Sequence, residues 1–152
     1  MDVNDITLLK RLMEQARATW AELSILLGLS APAAADRVRK LEEAGVIRGY
    51  CALVNPEAVG CGLAAIIAVT LEQTEQRAEF LRKVHSLAEI MECHHIAGAE
   101  DYILKVRCNG TRDLERLISE EMKSLPGLKT RTTVILSTVK ETPVMPIKIE
   151  GR

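Results

Sequence analysis

Three groupings in this sequence carry side chains able to bind something. The first is LSAPAAADRVRKLEEAGVI (29–47), where Arg37, Arg39 and Lys40 follow an alanine-rich stretch. Cations along one side of a helix suit phosphate oxygens, and arginine can also read guanine with two donors. The plainer alternative is a solvated helix face balanced by Glu42 and Glu43. The second grouping is Gly98-Ala99-Glu100-Asp101. Glycine permits close backbone approach, carboxylates pair with an α-ammonium group, and turn N–H groups can receive a carboxylate. That chemistry suits a free amino acid, while the plainer alternative is a β-turn with solvated acids. The third is Cys93-His94-His95. Neighbouring strand residues point to opposite faces, so the two histidines cannot jointly chelate one ion. Cys93 and His95 share a face, but further ligands are not evident. We therefore expect no metal site, no catalytic set and no cofactor, and a structural or pocket-lining role for one histidine, with binding that varies near neutral pH if the pocket borders it.

The totals narrow the classes. In 152 residues, 47% are hydrophobic and 27% charged, as in an ordinary soluble protein of one or two small cores. Aromatics make up only 3%, which disfavours single-strand binding by base stacking. Net charge is −1, and residues 1–50 are neutral: Lys10, Arg11, Arg17, Arg37, Arg39, Lys40 and Arg48 oppose Asp2, Asp5, Glu14, Glu22, Asp36, Glu42 and Glu43. Binding to a polyanion must then rest on where the cations point and on several copies acting together. The four cysteines have no CxxC spacing and no leader peptide precedes them, so a reduced cytoplasm with buried free thiols is expected. The longest apolar run, Gly62 to Val69, is too short to span a membrane. Ile149-Glu150-Gly151-Arg152 spells a processing-protease recognition sequence and is set aside as a tag remnant.

The apolar period changes near residue 55. Before it, Ile6, Leu9 and Met13 recur at helical spacing after Asn4-Asp5, which can cap the start. Thr19 with Glu22 has capping-box spacing, and Ala21, Ile25 and Leu26 follow along one side up to Gly28. Ser30 caps a third helix with Pro32 in its first turn, core positions Ala34, Val38 and Leu41, and a stop at Gly45. Two helices joined by a tight glycine turn form a helix-turn-helix. The β-rich VIRGYCALVNP then suits a wing or an outgoing strand.

The second half predicts strands at 63–71, 90–97, 101–108 and 129–141, with helices at 74–87 and 111–125. The first helix is expected to turn Ala78, Leu81, Val84 and His85 to one side, and Thr111 to cap the second. The order βαββαβ is the ferredoxin-like unit, whose two helices cover one sheet face. The other face then needs a second subunit, so a dimer through the sheet is expected. The fold class is thus α+β, with a winged helix-turn-helix at 1–54, a linker at 55–61, a second domain at 62–141 and a tail at 142–152.

At this point the sequence resembles the Lrp/AsnC (feast/famine) family of transcriptional regulators. The resemblance is carried by Asp5 with Leu8-Leu9, Arg17, Leu29-Ser30, Arg37-Val38, Leu41-Glu42, Gly45-Val46-Ile47 and Tyr50. It continues through Glu92-Cys93-His94, Gly98, Asp101-Tyr102, Pro126-Gly127 and Thr130-Arg131-Thr132. It implies a non-enzymatic, cytoplasmic regulator that binds double-stranded DNA. It also implies dimers assembling further, often to octamers, around a small effector that is typically an amino acid. For DNA, Ser30, Ala31, Pro32, Ala33, Asp36, Arg37, Arg39 and Lys40 lie on or beside the exposed stripe of the reading helix, with Arg37 and Lys40 the leading contacts. For the effector, the resemblance carries over Gly98, Glu100, Asp101, Thr130 and Thr132. The stretch 128–130 reads one residue shorter than the common family form. Two other readings share the two-domain build: a tetrapyrrole-modifying decarboxylase using histidines near its pocket, and a protein that wraps DNA without effector control.

Overall fold

The computed structural model describes residues 1–148, so the tag-like 149–152 lie outside the described residues. The chain divides into two compact units, Met1–Leu53 together with the tail from Lys140, and Val54–Val139.

The first unit is three helices: α1 (Val3–Glu14), α2 (Trp20–Leu27) and α3 (Ala31–Glu43). Leu8, Leu9, Leu12, Leu23, Ala34, Val38 and Leu41 form its core. The α1 cap is Asp2, not Asn4 or Asp5: Asp2 accepts the Asp5 N–H at 2.8 Å, and Asp5 accepts the Asp2 N–H at 2.9 Å. This reciprocal pair satisfies two donors that a helix start leaves without partners. Thr19 and Glu22 make the same arrangement for α2, as their spacing predicts. The inward face of α2 differs from expectation, because Leu23 is buried while Ile25 is 82% exposed. Two positions along a helix turn a side chain by about 200°, so a core Leu23 sends Ile25 outward. Gly28 closes α2 with φ 64°, a left-handed conformation in which a side chain is strained. Ser30 then caps α3 through the Ala33 N–H.

No strand forms over 46–56. β-prone residues need a neighbouring strand for their backbone groups, and none of the described residues supplies one there. The segment instead folds back on the end of α3, where Val46 and Ile47 donate to the Leu41 carbonyl and the Tyr50 hydroxyl donates to Glu42 at 2.9 Å. The apolar tail also packs in this unit: Ile147 lies against the core, and the Met145 N–H meets Met13 Sδ at 3.4 Å.

The second unit contains β1 (Leu63–Leu71), α4 (Arg77–Ser86), β2 (Ile90–His95), β3 (Tyr102–Cys108), α5 (Thr111–Arg116) and β4 (Leu128–Ile135). A 3₁₀ turn (Thr74–Gln76) leads into α4, and a wider π turn (Leu117–Met122) extends α5. All pairings are antiparallel, in the order β2-β3-β1-β4. Ala65, Ile67, Val69, Tyr102, Leu104, Val106 and Cys108 alternate onto the face that meets Phe80, Val84, Leu114, Leu117 and Met122. Phe80, rather than Ala78 or His85, anchors α4, since both of the latter are exposed. Neither does Thr111 cap α5. The cap position is Gly110, and the Asp113 carboxylate reaches back to the Asn109 N–H at 3.1 Å. Among the cysteines only Cys108 is fully buried, which pushes its thiol up to about 11; Cys51 is exposed, contrary to expectation.

The opposite sheet face carries Ala64, Ile66, Ala68 and Thr70 of β1, flanked by Ile103, Lys105 and Arg107 of β3. Lys129, Arg131, Thr133 and Ile135 of β4 lie on the same face, as does His94 of β2. Both helices of this unit pack on the other side.

Candidate DNA-reading helix and effector turn

The first turn of α3 presents Ser30, Ala31, Pro32 and Ala33, of which Ser30 and Pro32 are exposed and the other two half-buried. Short apolar side chains there can meet thymine methyls but cannot make paired hydrogen bonds to bases. The three cations further along are all engaged within the chain. Arg37 Nη1 contacts Asp2 Oδ2 at 2.8 Å and Asp5 Oδ1 at 2.7 Å, fastening α3 to the start of α1. Lys40 Nζ lies 2.8 Å from Asp36 Oδ2, and Arg39 bridges Asp36 and Glu43, the latter at 2.8 Å. The Lys40 and Arg39 hydrogen bonds hold the Asp36 carboxyl below its usual range. The Asp5 N–H, then Arg37, does the same for Asp2. Arg39 and Lys40 are solvent-facing, while Arg37 is turned toward α1.

The turn 98–101 joins edge strand β2 to inner strand β3. Ile96 donates to the Asp101 carbonyl, and Asp101 donates to the Val69 carbonyl, both at 2.9 Å. The Asp101 carboxylate accepts the Leu71 N–H on Oδ2 at 2.7 Å, which holds the turn on the end of β1. Glu100 is paired with Arg131 of β4, whose Nε lies 3.1 Å away. Gly98 and Ala99 are exposed, and a side chain at Gly98 would touch only Ile96 Cδ1 at 3.7 Å. Thr130 lies opposite Val69, at the same end of the sheet as the turn, and Thr132 opposite Ile67, two residues deeper. Both point to the helix-covered face, whereas Arg131 points to the open one. Strict alternation past Thr130 places Arg131 on that open face, yet no motif points to its pairing with Glu100.

Cys93 and His95 do share a face, opposite Leu104 and Tyr102, and the His95 ring lies 4.9 Å from that of Tyr102. His94, on the other face, meets Glu92 at 3.0 Å. Among the described residues, no three His, Cys, Asp or Glu side chains cluster closely enough to hold a metal. No helix among them is long and apolar enough to cross a membrane.

A helix-turn-helix unit followed by a four-stranded βαββαβ domain is the build of a two-domain transcriptional regulator, and comparison with known proteins agrees. A family model for a winged helix-turn-helix DNA-binding domain matches residues 1–48, and one for the Lrp/AsnC ligand binding domain matches 64–145. The chain belongs to the Lrp/AsnC family of transcriptional regulators. It is 38% identical over 138 residues to the HTH-type transcriptional regulator LrpA of Mycobacterium tuberculosis, covering 91% of each chain. It is 36% identical to the leucine-responsive regulatory protein of Haemophilus influenzae, covering 97% of this chain and 91% of that one. A transcriptional regulator of Neisseria meningitidis, solved as an L-methionine complex, superposes with a TM-score of 0.92 at 30% identity over 96% of both chains. A feast or famine regulatory protein of M. tuberculosis, also complexed with L-methionine, gives 0.85 at 38% identity over 92% and 95%.

Proposed function

We propose that this protein regulates transcription by docking α3 in the major groove of double-stranded DNA, and that an α-amino acid bound at the 98–101 turn adjusts that binding. The observation that carries the reading is the exposed first turn of α3, held in place by the Ser30 cap and the Arg37 clamp. Ser30, Ala31, Pro32 and Ala33 approach bases, Arg39 and Lys40 face the groove wall, and Asp36 stands between the bases and those two cations. Arg37 acts as the positioning residue. Contacts this sparse give modest base selectivity and leave much of it to DNA shape.

At the turn, Glu100 and Arg131 offer the two charges that an amino-acid zwitterion needs, one for the ammonium and one for the carboxylate. Gly98 leaves room for backbone approach, Asp101 fixes the turn, and Thr130 stands at the same sheet end with Thr132 behind it. Two relatives of known structure bind L-methionine, which makes it the first candidate. A second copy of this chain covers the Ala64, Ile66, Ala68 and Ile103 face, and dimers assemble further around the turns. In that assembly several weakly binding helices act together, which compensates for a neutral DNA-binding unit.

The test is binding of the full protein to the DNA upstream of its own gene, across salt and with L-methionine added. Steep salt dependence with an affinity that changes on adding the amino acid supports the reading. Salt-independent binding, or none, overturns it. Mass measurement in solution tests the assembly, and a monomer overturns that part.

A further inference from the structure

The expected DNA-reading cations are held by acids of the same chain, and one acid holds two of them. Asp36 accepts from Lys40 four residues on, at 2.8 Å, and from Arg39 three residues on, in a still closer contact. Glu43 takes the other arm of Arg39 at 2.8 Å. Asp36 sits one turn and a half into α3, on the side turned away from Ala34, Val38 and Leu41, and its side chain is 40% exposed. By contrast, Arg17 and Arg48 make no ion pair among the described residues.

Resting on the DNA-docking reading above, we propose that Asp36 is a specificity-determining residue that weakens binding to arbitrary duplex by competing with phosphate for Arg39 and Lys40. Exposed ion pairs of this kind are individually weak, so phosphates can take both cations. What remains is a carboxylate facing a polyanion. On a random sequence nothing compensates for that repulsion. On a sequence that brings a cytosine amino group to Asp36, the carboxylate accepts its N4–H donor and the repulsion is offset. Discrimination then comes from a repulsive element as well as an attractive one, which is how many selective interfaces exclude wrong partners. It also gives an alanine-rich helix, short of base-reading side chains, a means of choosing sites.

The test uses the full-length protein and Asp36→Asn, which keeps shape and helix preference but removes the charge. Affinity for a random-sequence duplex is measured across a salt series by fluorescence anisotropy. It is measured likewise for an operator selected by the wild-type protein from a randomised duplex pool. For D36N the expected result is a random-duplex affinity roughly ten-fold higher near about 0.1 M salt, with a salt slope steeper by about one. The operator-to-random ratio should fall, and Asp36→Glu should keep the wild-type ratio. Helical content and melting temperature of D36N should stay close to wild type, because the residue is half-exposed and its ion pairs are individually weak. Unchanged random-duplex affinity and slope in D36N, with a wild-type ratio retained, overturn the role of Asp36. If the wild-type protein enriches no sequence from the pool, the DNA-docking reading itself fails, and the two failures are distinct.

Discussion

Arg37 Nη1 lies 2.7 Å from Asp5 Oδ1, joining the middle of α3 to the first turn of α1 across 32 residues of chain. The same Asp5 completes the capping box with Asp2, which Arg37 also touches. Cap and clamp are therefore one cluster, and losing the guanidinium loosens both. Arg37→Ala should lower the melting temperature of the first unit modestly, since an exposed charge pair is weak but this one also holds the helix cap. Arg37→Lys should recover most of the loss, since the single nitrogen Nη1 makes both contacts and an ammonium also carries donors enough for two carboxylates. Thermal unfolding of the purified variants checks this. A melting temperature unchanged in Arg37→Ala would show that the clamp contributes nothing.

Asp101 and Glu100 are neighbours with different expected behaviour. The Asp101 carboxylate accepts the Leu71 N–H at 2.7 Å, so Asp101→Ala strands a backbone donor and should cost about 2 kcal/mol with or without ligand. Among the described residues Glu100 pairs with the exposed Arg131, so Glu100→Gln should leave the unfolding free energy within about 0.5 kcal/mol of wild type. If the proposed effector site is right, its effect should appear as a smaller melting shift on adding L-methionine than wild type gives. If Glu100→Gln shifts as fully as wild type, Glu100 does not bind the ammonium.

Much of this architecture is legible from local pattern. β1 falls at Leu63–Leu71 as its apolar run predicts, and Thr19, Glu22, Ser30 and Gly28 mark helix ends by chemistry that acts within four residues. Illegible parts depend on partners far along the chain. Arg37 looks free until α1 is folded beside it. The structural bond of Asp101 to the Leu71 N–H is invisible until β1 is folded beside the turn. Ile25 and Ile147 are equally apolar, yet only the second finds a core to join, because helix phase and chain return are set by tertiary packing. The 46–56 stretch fails as a strand for the same reason: its propensity is real, but no neighbour is paired with it.

The tail offers a direct test of that packing. Ile147 lies against the core of the first unit beside a hydrogen bond from the Met145 N–H to Met13 Sδ. Ile147→Asp should lower the stability of this unit by about 1–2 kcal/mol, less than a fully buried isoleucine would lose, because the site is half-exposed. Hydrogen exchange of α1 amides should report the loss, while β1 amides should keep their protection. Equal loosening of both would place the tail's role elsewhere.

Gly127 has φ 68°, and a Cβ there would meet Gln76 Nε2 at 2.8 Å and Glu72 Oε2 at 3.3 Å. Its carbonyl accepts the Glu72 N–H at 3.0 Å, and the Gln76 amide donates to the neighbouring Pro126 carbonyl. Gly127→Ala therefore combines backbone strain with a steric shift of Gln76, and should cost about 1–3 kcal/mol. A denaturant midpoint unchanged from wild type would mean the loop relaxes freely.

The start of α5 links structure to pH. Gly110 brings no side chain to cap it, and Asp113 serves instead by accepting the Asn109 N–H and pairing with Arg116 at 2.9 Å. Those contacts, the backbone hydrogen bond foremost, hold the Asp113 carboxyl below its ordinary 3.8. A depressed folded-state value means the ionised form is preferred on folding. Its stabilisation is complete above the unfolded value near 3.8 and is lost as pH falls through the lower folded value. Asp113→Asn should thus be less stable than wild type at neutral pH, and the difference should shrink on acidification below about pH 4. Thr111→Ala, whose hydroxyl does no capping, should differ little at any pH. Parallel thermal melts from neutral to acid pH decide between them. A constant gap between Asp113→Asn and wild type down to strong acid would remove the carboxylate from this account of the helix start.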